Sequence, residues 1–198
     1  MKIGPHELPV PVILAPLAAI TTPAFRRLCE EQGAGLTWTE MVSVPGLVRG
    51  NAKIARLVRR ASPDRPMAVQ LVGSRPDEME RAAAHVAERG ADLVDLNMGC
   101  PVRKVLKTGA GVALMREPEL AARLVRAVRR GSEDRVTITV KMRAGWRDQL
   151  NAPELARRVV DAGAAAVTVH GRTREQVFRG QVSLDRIAEV VRAVDVPV

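Results

Sequence analysis

The chain has 198 residues, of which 46% are hydrophobic and 27% charged, a length and composition typical of one soluble globular domain. It contains no apolar run of about 18 residues, the length that a transmembrane helix needs, and no secretory signal pattern at its start. The two cysteines, Cys29 and Cys100, are too few for a disulfide framework or a cysteine-based metal site. We therefore expect a cytoplasmic protein without a metal centre.

The charge of the chain favours one class of partner. The formal net charge is +9, from 31 basic and 22 acidic residues, and such an excess favours polyanions such as nucleic acid. A GC-rich coding bias, which favours arginine codons, would produce the same excess of positive charge. Charge alone therefore does not decide whether the protein binds nucleic acid. Aromatic residues make up only 2% of the chain, which argues against a platform of several stacking rings.

Three segments share one pattern, in which an amphipathic helix ends at a glycine and is followed by a short apolar strand and a polar residue. The three glycines and the polar residues seven positions after them are Gly33 and Glu40, Gly90 and Asn97, and Gly163 and His170. Glycine suits a helix end because it adopts the left-handed backbone conformation without a Cβ clash. The repeated unit is therefore helix, glycine cap, buried strand and polar tip.

Strands and helices alternate along the chain. The sequence predicts strands at residues 12–15, 36–39, 67–71, 93–96, 136–141 and 166–169, and a seventh that begins at residue 196. It predicts helices at residues 23–32, 76–88, 117–130, 153–161 and 184–194, and a weaker one near residues 52–60. Apolar strands that alternate with amphipathic helices indicate an α/β protein with a parallel sheet covered by helices.

Units of this kind favour a TIM (β/α)8-type barrel over a doubly wound sheet, because no Gly-x-Gly-x-x-Gly follows the first strand. About six β/α units and the start of a seventh strand are present, whereas a closed barrel needs eight units and about 250 residues. We therefore expect residues 1–198 to form one incomplete barrel domain, the N-terminal part of a longer protein, which alone would expose strand edges and fold poorly. A complete six-stranded domain is the alternative.

Polar residues follow four successive strands of the predicted barrel. They are Gln70, Asn97, Lys141 and His170. The carboxyl ends of barrel strands converge on one mouth, where catalysis takes place. Any one of these residues could merely mark where a strand leaves the core, but four of them with different hydrogen-bonding chemistry indicate a site. Lys141 suits an anionic cofactor or intermediate.

The most informative local sequence is Asn97-Met98-Gly99-Cys100-Pro101. Gly99 permits a tight turn and Pro101 fixes its exit, so that Cys100 is presented at the mouth. An unperturbed thiol is mostly protonated at neutral pH and can donate a proton. A role as nucleophile would need a nearby base, which leaves His170 as a candidate. Cys29, by contrast, lies in a predicted amphipathic helix together with Leu28, and we expect it in the core.

Several basic residues of the predicted loops are candidates for contacts with phosphate groups. They are Arg103, Lys104, Lys107, Arg143, Arg147, Arg172, Arg174 and Arg179.

Five motifs occur in a characteristic order. They are Ala15-Pro16-Leu17-Ala18, Asn97-Met98-Gly99-Cys100-Pro101, Lys104-Val105 with Gly109-Ala110-Gly111, Lys141-Met142-Arg143 and His170-Gly171-Arg172-Thr173-Arg174. Together they closely resemble the tRNA-dihydrouridine synthases of the bacterial type, over essentially the whole chain. The cysteine motif and the His-Gly-Arg-Thr-Arg motif are highly specific.

The resemblance implies an FMN-binding TIM barrel followed by a small helical domain that binds tRNA. The implied reaction reduces uridine in tRNA to 5,6-dihydrouridine, with NADPH as the hydride donor for the flavin. The protein would be cytoplasmic, and monomeric at full length, with tRNA as its partner. The remaining strands and the helical domain would lie outside residues 1–198.

The resemblance also implies roles for individual residues. Hydride would pass from N5 of reduced FMN to C6 of the uracil, and Cys100 would protonate C5. The residues implied in FMN binding are Pro16, Leu17, Ala18, Gln70, Lys141 and His170. Those implied in substrate binding are Asn97, Arg103, Lys104 and Arg172.

Two other functions remain open at this stage. One is a different FMN barrel that acts on a free pyrimidine, similar to a dihydroorotate dehydrogenase, in which the cysteine acts as a base. The other is an inactive RNA-binding remnant without flavin. Leu17 departs from the family pattern, which commonly has methionine there, but this is a tolerable apolar exchange.

Overall fold

A single curled sheet of six parallel strands organises the computed structural model, which describes residues 1–147 and 149–198. A short antiparallel hairpin of β1 (Lys2–Ile3) and β2 (His6–Glu7) precedes it. The sheet strands are β3 (Ile13–Leu14), β4 (Leu36–Ser43), β5 (Ala68–Val72), β6 (Leu93–Met98), β7 (Thr137–Gly145) and β8 (Ala166–Thr173).

The strand order in the sheet is the same as the order in the chain, from β3 to β8. Each strand pairs in parallel with the one before it. A doubly wound sheet would reverse its order at a switch point, and the strands of the described residues show no reversal. The first and last strands also approach each other, since Ile13 and Ala166 line one cavity of about 320 Å³. This confirms the predicted incomplete TIM-type barrel.

Helices connect the strands and cover the outer face of the sheet. They are α1 (Pro23–Glu31), α2 (Val44–Val48), α3 (Ala52–Ala55), α4 (Pro76–Glu88), α5 (Arg103–Leu106), a 3₁₀ helix (Gly111–Arg116), α6 (Pro118–Ser132), α7 (Ala152–Asp161) and α8 (Leu184–Val191). In the described part of the chain, none of these helices is long and apolar enough to cross a membrane.

The predicted elements agree with these bounds to different degrees. The helix predicted at residues 76–88 coincides with α4, and all three repeat glycines have positive φ angles, of 94°, 80° and 118°. The helix predicted near residues 52–60 is wrong in length, because it ends with α3 after one turn. Residues 196–198 are not in a strand, but the Val167 N–H donates to the Pro197 carbonyl at 3.0 Å, so this segment lies beside β8.

Two apolar layers lie on opposite faces of the sheet. The larger one packs between the strands and the helices, and α4 and α6 contribute to it side by side. The smaller one fills the amino-terminal end of the barrel interior, with Ile3 of the hairpin packed among Leu36, Trp38 and Leu93. Because side chains alternate along a strand, the interior positions beyond this apolar layer are free for polar residues.

Helix α1 departs from the expectation that its apolar residues belong to the core. Leu28 is 57% exposed and Cys29 only half-buried, whereas Arg26 and Glu30 are buried. The reason is hydrogen bonding. Arg26 donates to the Thr21 carbonyl at 3.2 Å and to that of Arg59, and Glu30 accepts from Thr37 at 2.6 Å. These bonds compensate the cost of burying charge.

We predict that Gly131→Ala destabilises the protein. Alanine is the better helix former by about 1 kcal/mol, but a Cβ at position 131 would lie 2.0 Å from the Glu80 carbonyl oxygen of α4. Forcing α4 and α6 apart should outweigh the propensity gain and lower the free energy of unfolding by about 1–3 kcal/mol. Urea denaturation measures this change.

The matched control is Arg123→Ala, which changes an exposed position of the same helix. It should leave the urea midpoint nearly unchanged. A Gly131→Ala variant as stable as the wild type would contradict the close approach of the two helices.

Candidate active site at the carboxyl ends of the strands

A cavity of about 420 Å³ opens at the carboxyl ends of the strands. It is lined by the segment after β3, by residues of β4 to β8, by the turn after β6 and by the segment after β8. Among its lining residues are Pro16, Leu17, Ala18, Met41, Gln70, Asn97, Cys100, Lys141, Met142, Arg143, His170, Val177 and Phe178. Eight of the eleven residues to which the resemblance assigned roles thus line this one cavity.

Three other predicted residues lie outside the lining of this cavity. Arg103 and Lys104 are exposed at the start of α5. Arg172 lies on β8 and donates to the Gly180 carbonyl oxygen at 2.9 Å. Arg103 and Lys104 lie beyond the end of β6, whereas the expectation that Arg172 is a loop residue is wrong, because it belongs to β8.

Glu40 and Thr21 hold the segment that follows β3. The Leu17 N–H donates to Thr21 Oγ1 at 3.2 Å, and the same hydroxyl donates to the Leu17 carbonyl at 3.1 Å. The Ala19 N–H donates to Glu40 Oε2 at 2.5 Å, and Ala19 has a φ of 61°. The polar tip of the first repeat therefore holds the loop that contains Leu17 and Ala18.

A continuous line of hydrogen bonds connects the barrel interior with the cysteine turn. Thr139 Oγ1 donates to Asp95 Oδ1 at 2.6 Å, and Gln70 Nε2 donates to Asp95 Oδ2 at 2.7 Å. Asn97 Nδ2 donates to Gln70 Oε1 at 2.9 Å. Asn97 Oδ1 in turn accepts from the N–H of Cys100 at 2.9 Å. The polar tip of the second repeat is thus the last side chain of a buried network.

The backbone around Cys100 is held at three points. Its N–H is bound by Asn97, and its carbonyl accepts from the Val112 N–H at 3.1 Å. Arg143 Nε donates to the carbonyl of Gly99 at 2.9 Å. Cys100 itself is half-buried and borders the cavity. These contacts therefore hold the backbone of the turn at the border of the cavity.

Lys141 brings an unneutralised charge to the cavity. It is half-buried, and within the described residues its ammonium group has neither a hydrogen bond nor an ion pair. Burial lowers the pKa of Lys141, and the nearby carboxylate of Asp95 opposes that shift. A cation without a partner in a cavity is suited to an anionic ligand.

The expectation that Arg143 is a loop cation is wrong. It lies on β7 and is 3% exposed, because its guanidinium satisfies three backbone carbonyls. Besides Gly99, these are Thr173 at 3.0 Å and Val177 at 2.8 Å. The guanidinium also lies 5.6 Å from the ring centroid of Phe178. Arg143 therefore joins the cysteine turn to the segment after β8.

Two neighbours constrain the imidazole of His170. Arg172 Nη1 lies 3.3 Å from Nε2 of the ring, and since a guanidinium only donates, Nε2 is the acceptor and Nδ1 carries the proton. Burial and the charges of Arg143, Lys141 and Arg172 lower the pKa of His170 to about 4. His170 is therefore neutral at pH 7.

Cys100 and His170 do not form a nucleophile–base pair. Both are described, and no hydrogen bond joins them, although such a pair needs one. Nor does the part of the chain that the structure describes contain a group of three or more His, Cys, Asp or Glu side chains that could hold a metal ion.

Sequence reasoning missed several residues of the site. Asp95 and Thr139 are both 2% exposed and lie on paired positions of β6 and β7. Strand alternation would have placed Asp95 on the same face as Asn97, two residues later. Phe178, 73% exposed at the cavity, follows Val177, whose φ of 50° is strained for a β-branched residue; no sequence signal indicated it.

Comparison with known proteins identifies relatives along the whole chain. A family model described as Dihydrouridine synthase (Dus) matches residues 13–198. The chain is 42% identical over 200 residues to tRNA-dihydrouridine synthase B of Xanthomonas campestris pv. campestris, which covers 100% of this chain and 59% of that protein. It is 44% identical over 194 residues to a probable tRNA-dihydrouridine synthase of Rhodobacter capsulatus, covering 97% and 59%. The chain thus spans 59% of the length of these relatives.

Solved structures of lower identity share the fold. The crystal structure of a phosphonopyruvate hydrolase superimposes with a TM-score of 0.60 at 17% identity, over 94% of this chain and 64% of that one. A variant of NCR from Zymomonas mobilis gives a TM-score of 0.58 at 16% identity, over 100% and 76%. At such identities the similarity shows the fold alone.

We predict that the His170 ring titrates with a pKa of about 4, well below its ordinary value of 6.5. Because the folded-state pKa is the lower one, His170 favours the folded state above pH 6.5, and this contribution is lost as the pH falls towards 4. NMR titration of the ring protons measures the pKa.

Arg172→Ala removes one of the three cations near the ring and should raise the pKa of His170, whereas Arg123→Ala, on the far side of the helix layer, should not. A His170 midpoint near 6.5 in the wild type would contradict the described environment.

Proposed function

We propose, because the chain belongs to the dihydrouridine synthase family, that residues 1–198 supply the flavin-binding barrel of an enzyme that reduces uridine in tRNA to 5,6-dihydrouridine. The remaining strands and a helical tRNA-binding domain complete that enzyme. The observation that carries the proposal is the convergence of Gln70, Asn97, Cys100, Lys141 and His170 on one cavity.

FMN is the proposed cofactor, and the lining of the cavity fits it. Pro16 and Met41 provide apolar surface for a flat ring system. Gln70 and the neutral His170 offer hydrogen-bonding groups for its polar edge, and Lys141 offers a positive charge that the described residues leave unpaired. When bound, FMN would supply the hydride chemistry, with NADPH as the reductant and C6 of the uracil as the acceptor.

Lys141 has an electrostatic role in this proposal. A buried ammonium group favours whatever negative charge develops next to it, because the low polarity of the surroundings strengthens the attraction. Lys141 therefore stabilises the bound cofactor in its anionic reduced form more than in its neutral oxidised form. The neutral His170 contributes hydrogen bonding without adding charge.

Cys100 is the proposed general acid. Its thiol donates a proton to C5 of the uracil, and the resulting thiolate regains a proton from solvent. The position of the thiol is set by the three backbone contacts of the turn and by the half-buried cavity wall. Asn97 lies directly beside it and helps to hold the pyrimidine ring.

The tRNA is the proposed macromolecular partner. Arg103 and Lys104 are exposed beside the mouth, and Arg172 borders it through His170. Guanidinium and ammonium groups in such places neutralise backbone phosphates. The net charge of +9 supports the same conclusion. A free pyrimidine would not need these exposed cations, which favours tRNA over a dihydroorotate-type substrate.

We predict that Cys100→Ala, in the FMN-loaded protein that contains residues 1–198, lowers the rate of dihydrouridine formation by about 10²–10⁴-fold, the usual cost of losing a general acid. Reduction of the flavin by NADPH should stay unchanged, because it needs no proton from the thiol. Single-turnover assays on unmodified tRNA measure the first rate and flavin absorbance the second.

Cys29→Ala is the matched control, since Cys29 lies on α1 outside the cavity, and it should leave both rates unchanged. Undiminished dihydrouridine formation by Cys100→Ala would eliminate Cys100 as the proton donor.

We predict that Lys141→Ala weakens FMN binding about tenfold or more, since a lost interaction with a charged group costs about 1.5–3 kcal/mol. Quenching of flavin fluorescence during titration measures the dissociation constant. Lys107→Ala, which removes an exposed cation outside the cavity, should bind FMN as the wild type does.

Equal affinity of both variants would show that Lys141 does not contact the cofactor. A wild-type protein that binds tRNA but no FMN would instead support the RNA-binding remnant.

A further inference from the structure

Three side chains at one level of the sheet form the base of the candidate site. Gln70, Asp95 and Thr139 occupy directly paired positions on β5, β6 and β7. They are 1%, 2% and 2% exposed. Both carboxylate oxygens of Asp95 are occupied, one by the Thr139 hydroxyl and the other by the Gln70 amide. The three residues therefore form a buried unit, and Gln70 Oε1 connects it to Asn97 above.

The carboxylate imposes a direction on the amides above it. An ionised carboxylate only accepts hydrogen bonds, so Gln70 presents Nε2 to Asp95 and turns Oε1 towards Asn97. Asn97 must then present Nδ2 to Gln70, which leaves Oδ1 facing the turn. That oxygen accepts from the backbone N–H groups of Gly99 at 3.3 Å and Cys100 at 2.9 Å. With the amides reversed, an NH₂ group would face two N–H donors.

We propose that Asp95 is a positioning residue, which acts through Gln70 and Asn97 to set the orientation of both amides and thereby to hold the turn that presents Cys100. The inference rests on the proposed function, because the position of the Cys100 thiol matters for catalysis only if Cys100 is the proton donor. It adds a residue that touches neither the uracil nor Cys100. Asp95 reaches the turn only through two intervening side chains.

Thr139 gives this unit a testable property. Its hydroxyl can donate or accept through the same oxygen, whereas the Gln70 amide donates only through Nε2 and accepts only through Oε1. If Asn replaces Asp95, Nδ2 of the new amide can donate to Thr139 Oγ1 while Oδ1 still accepts from Gln70. Without the hydroxyl, the new amide either leaves Nδ2 buried and unpaired or turns it towards Gln70, which reverses the amides above.

The experiment compares the wild type with Asp95→Asn, Thr139→Val, Asp95→Asn/Thr139→Val and Asp95→Asn/Thr139→Ser, all in a Cys29→Ala background. Hydrogen exchange of the Gly99 and Cys100 amides, followed by NMR, reports the bonds to Asn97. Alkylation of Cys100 by iodoacetamide reports the placement of the thiol. Exchange of the Val86 amide in α4 controls for the overall fold.

The two single variants should stay within about threefold of the wild type in both measurements. Asp95→Asn/Thr139→Val should accelerate exchange of the two turn amides and alkylation at least tenfold, with Val86 unchanged. Asp95→Asn/Thr139→Ser retains a hydroxyl and should restore the behaviour of Asp95→Asn. If the role of Asp95 were purely steric, the effects of Asp95→Asn and Thr139→Val would add in the double variant. Serine at position 139 would then restore neither amide protection nor slow alkylation.

The proposal is overturned if Asp95→Asn/Thr139→Val protects the turn amides as well as Asp95→Asn does, or if the serine variant is equally impaired. If Asp95→Asn/Thr139→Val does not fold, Gln70→Leu is the alternative, because it removes the side-chain hydrogen bonds of Gln70 to Asp95 and Asn97. It should accelerate hydrogen exchange of the Gly99 and Cys100 amides. Their retained protection in Gln70→Leu would also overturn the proposal.

The outcome is independent of the proposed function, since neither measurement uses flavin or tRNA. Suppose that the turn depends on Asp95 but the Cys100→Ala variant still forms dihydrouridine. That result would refute the role of Cys100 as proton donor and would leave the positioning role of Asp95 intact. If both hold, Asp95→Asn/Thr139→Val should lower kcat for uridine reduction about tenfold while the KM for tRNA stays unchanged.

Discussion

The parallel register of β5, β6 and β7 is the constraint on which the rest of the site depends. It sets Gln70 beside Asp95, Asp95 beside Thr139, and Asn97 beside Lys141. Because alternate residues of a strand share one face, the interior is built in levels: apolar residues at the bottom, the Asp95 network above them and the cavity residues at the top. A slip of one residue would turn all of these side chains towards the helices.

Positive charge predominates in the cavity, because Lys141 and Arg143 line it and no Asp or Glu is among its described lining residues. Burial, together with the charges of Arg143, Lys141 and Arg172, lowers the pKa of His170 and keeps its ring neutral. Asp95 lies beneath them, and its burial raises its own pKa to about 6 against the opposing effect of Thr139, Gln70 and Lys141. A site of this kind attracts anions, and it offers a thiol and a neutral imidazole in place of a charged acid–base pair.

The fold alone does not explain this chemistry, because similar backbones occur at 16% and 17% identity and one fold supports many functions. What distinguishes the chain is the way backbone segments are tied to side chains of the sheet. Arg143 holds the cysteine turn and the segment after β8 together, and Glu40 holds the loop after β3. The family membership and the geometry therefore support one proposal from independent directions.

The sequence by itself determined the alternation of strands and helices, the glycine caps, the bounds of α4 and eight of the residues that line the cavity. These are local patterns, governed by backbone conformation and strand alternation. Only the tertiary structure decided that Arg143 and Arg26 are buried, that Glu40 holds a loop and that Asp95 accepts a hydrogen bond from Gln70. The physical reason is that each of these depends on a hydrogen-bond partner far away in the chain, such as Gly99 for Arg143, 44 residues earlier. Composition and periodicity carry no record of such pairings, which exist only once the strands lie in register.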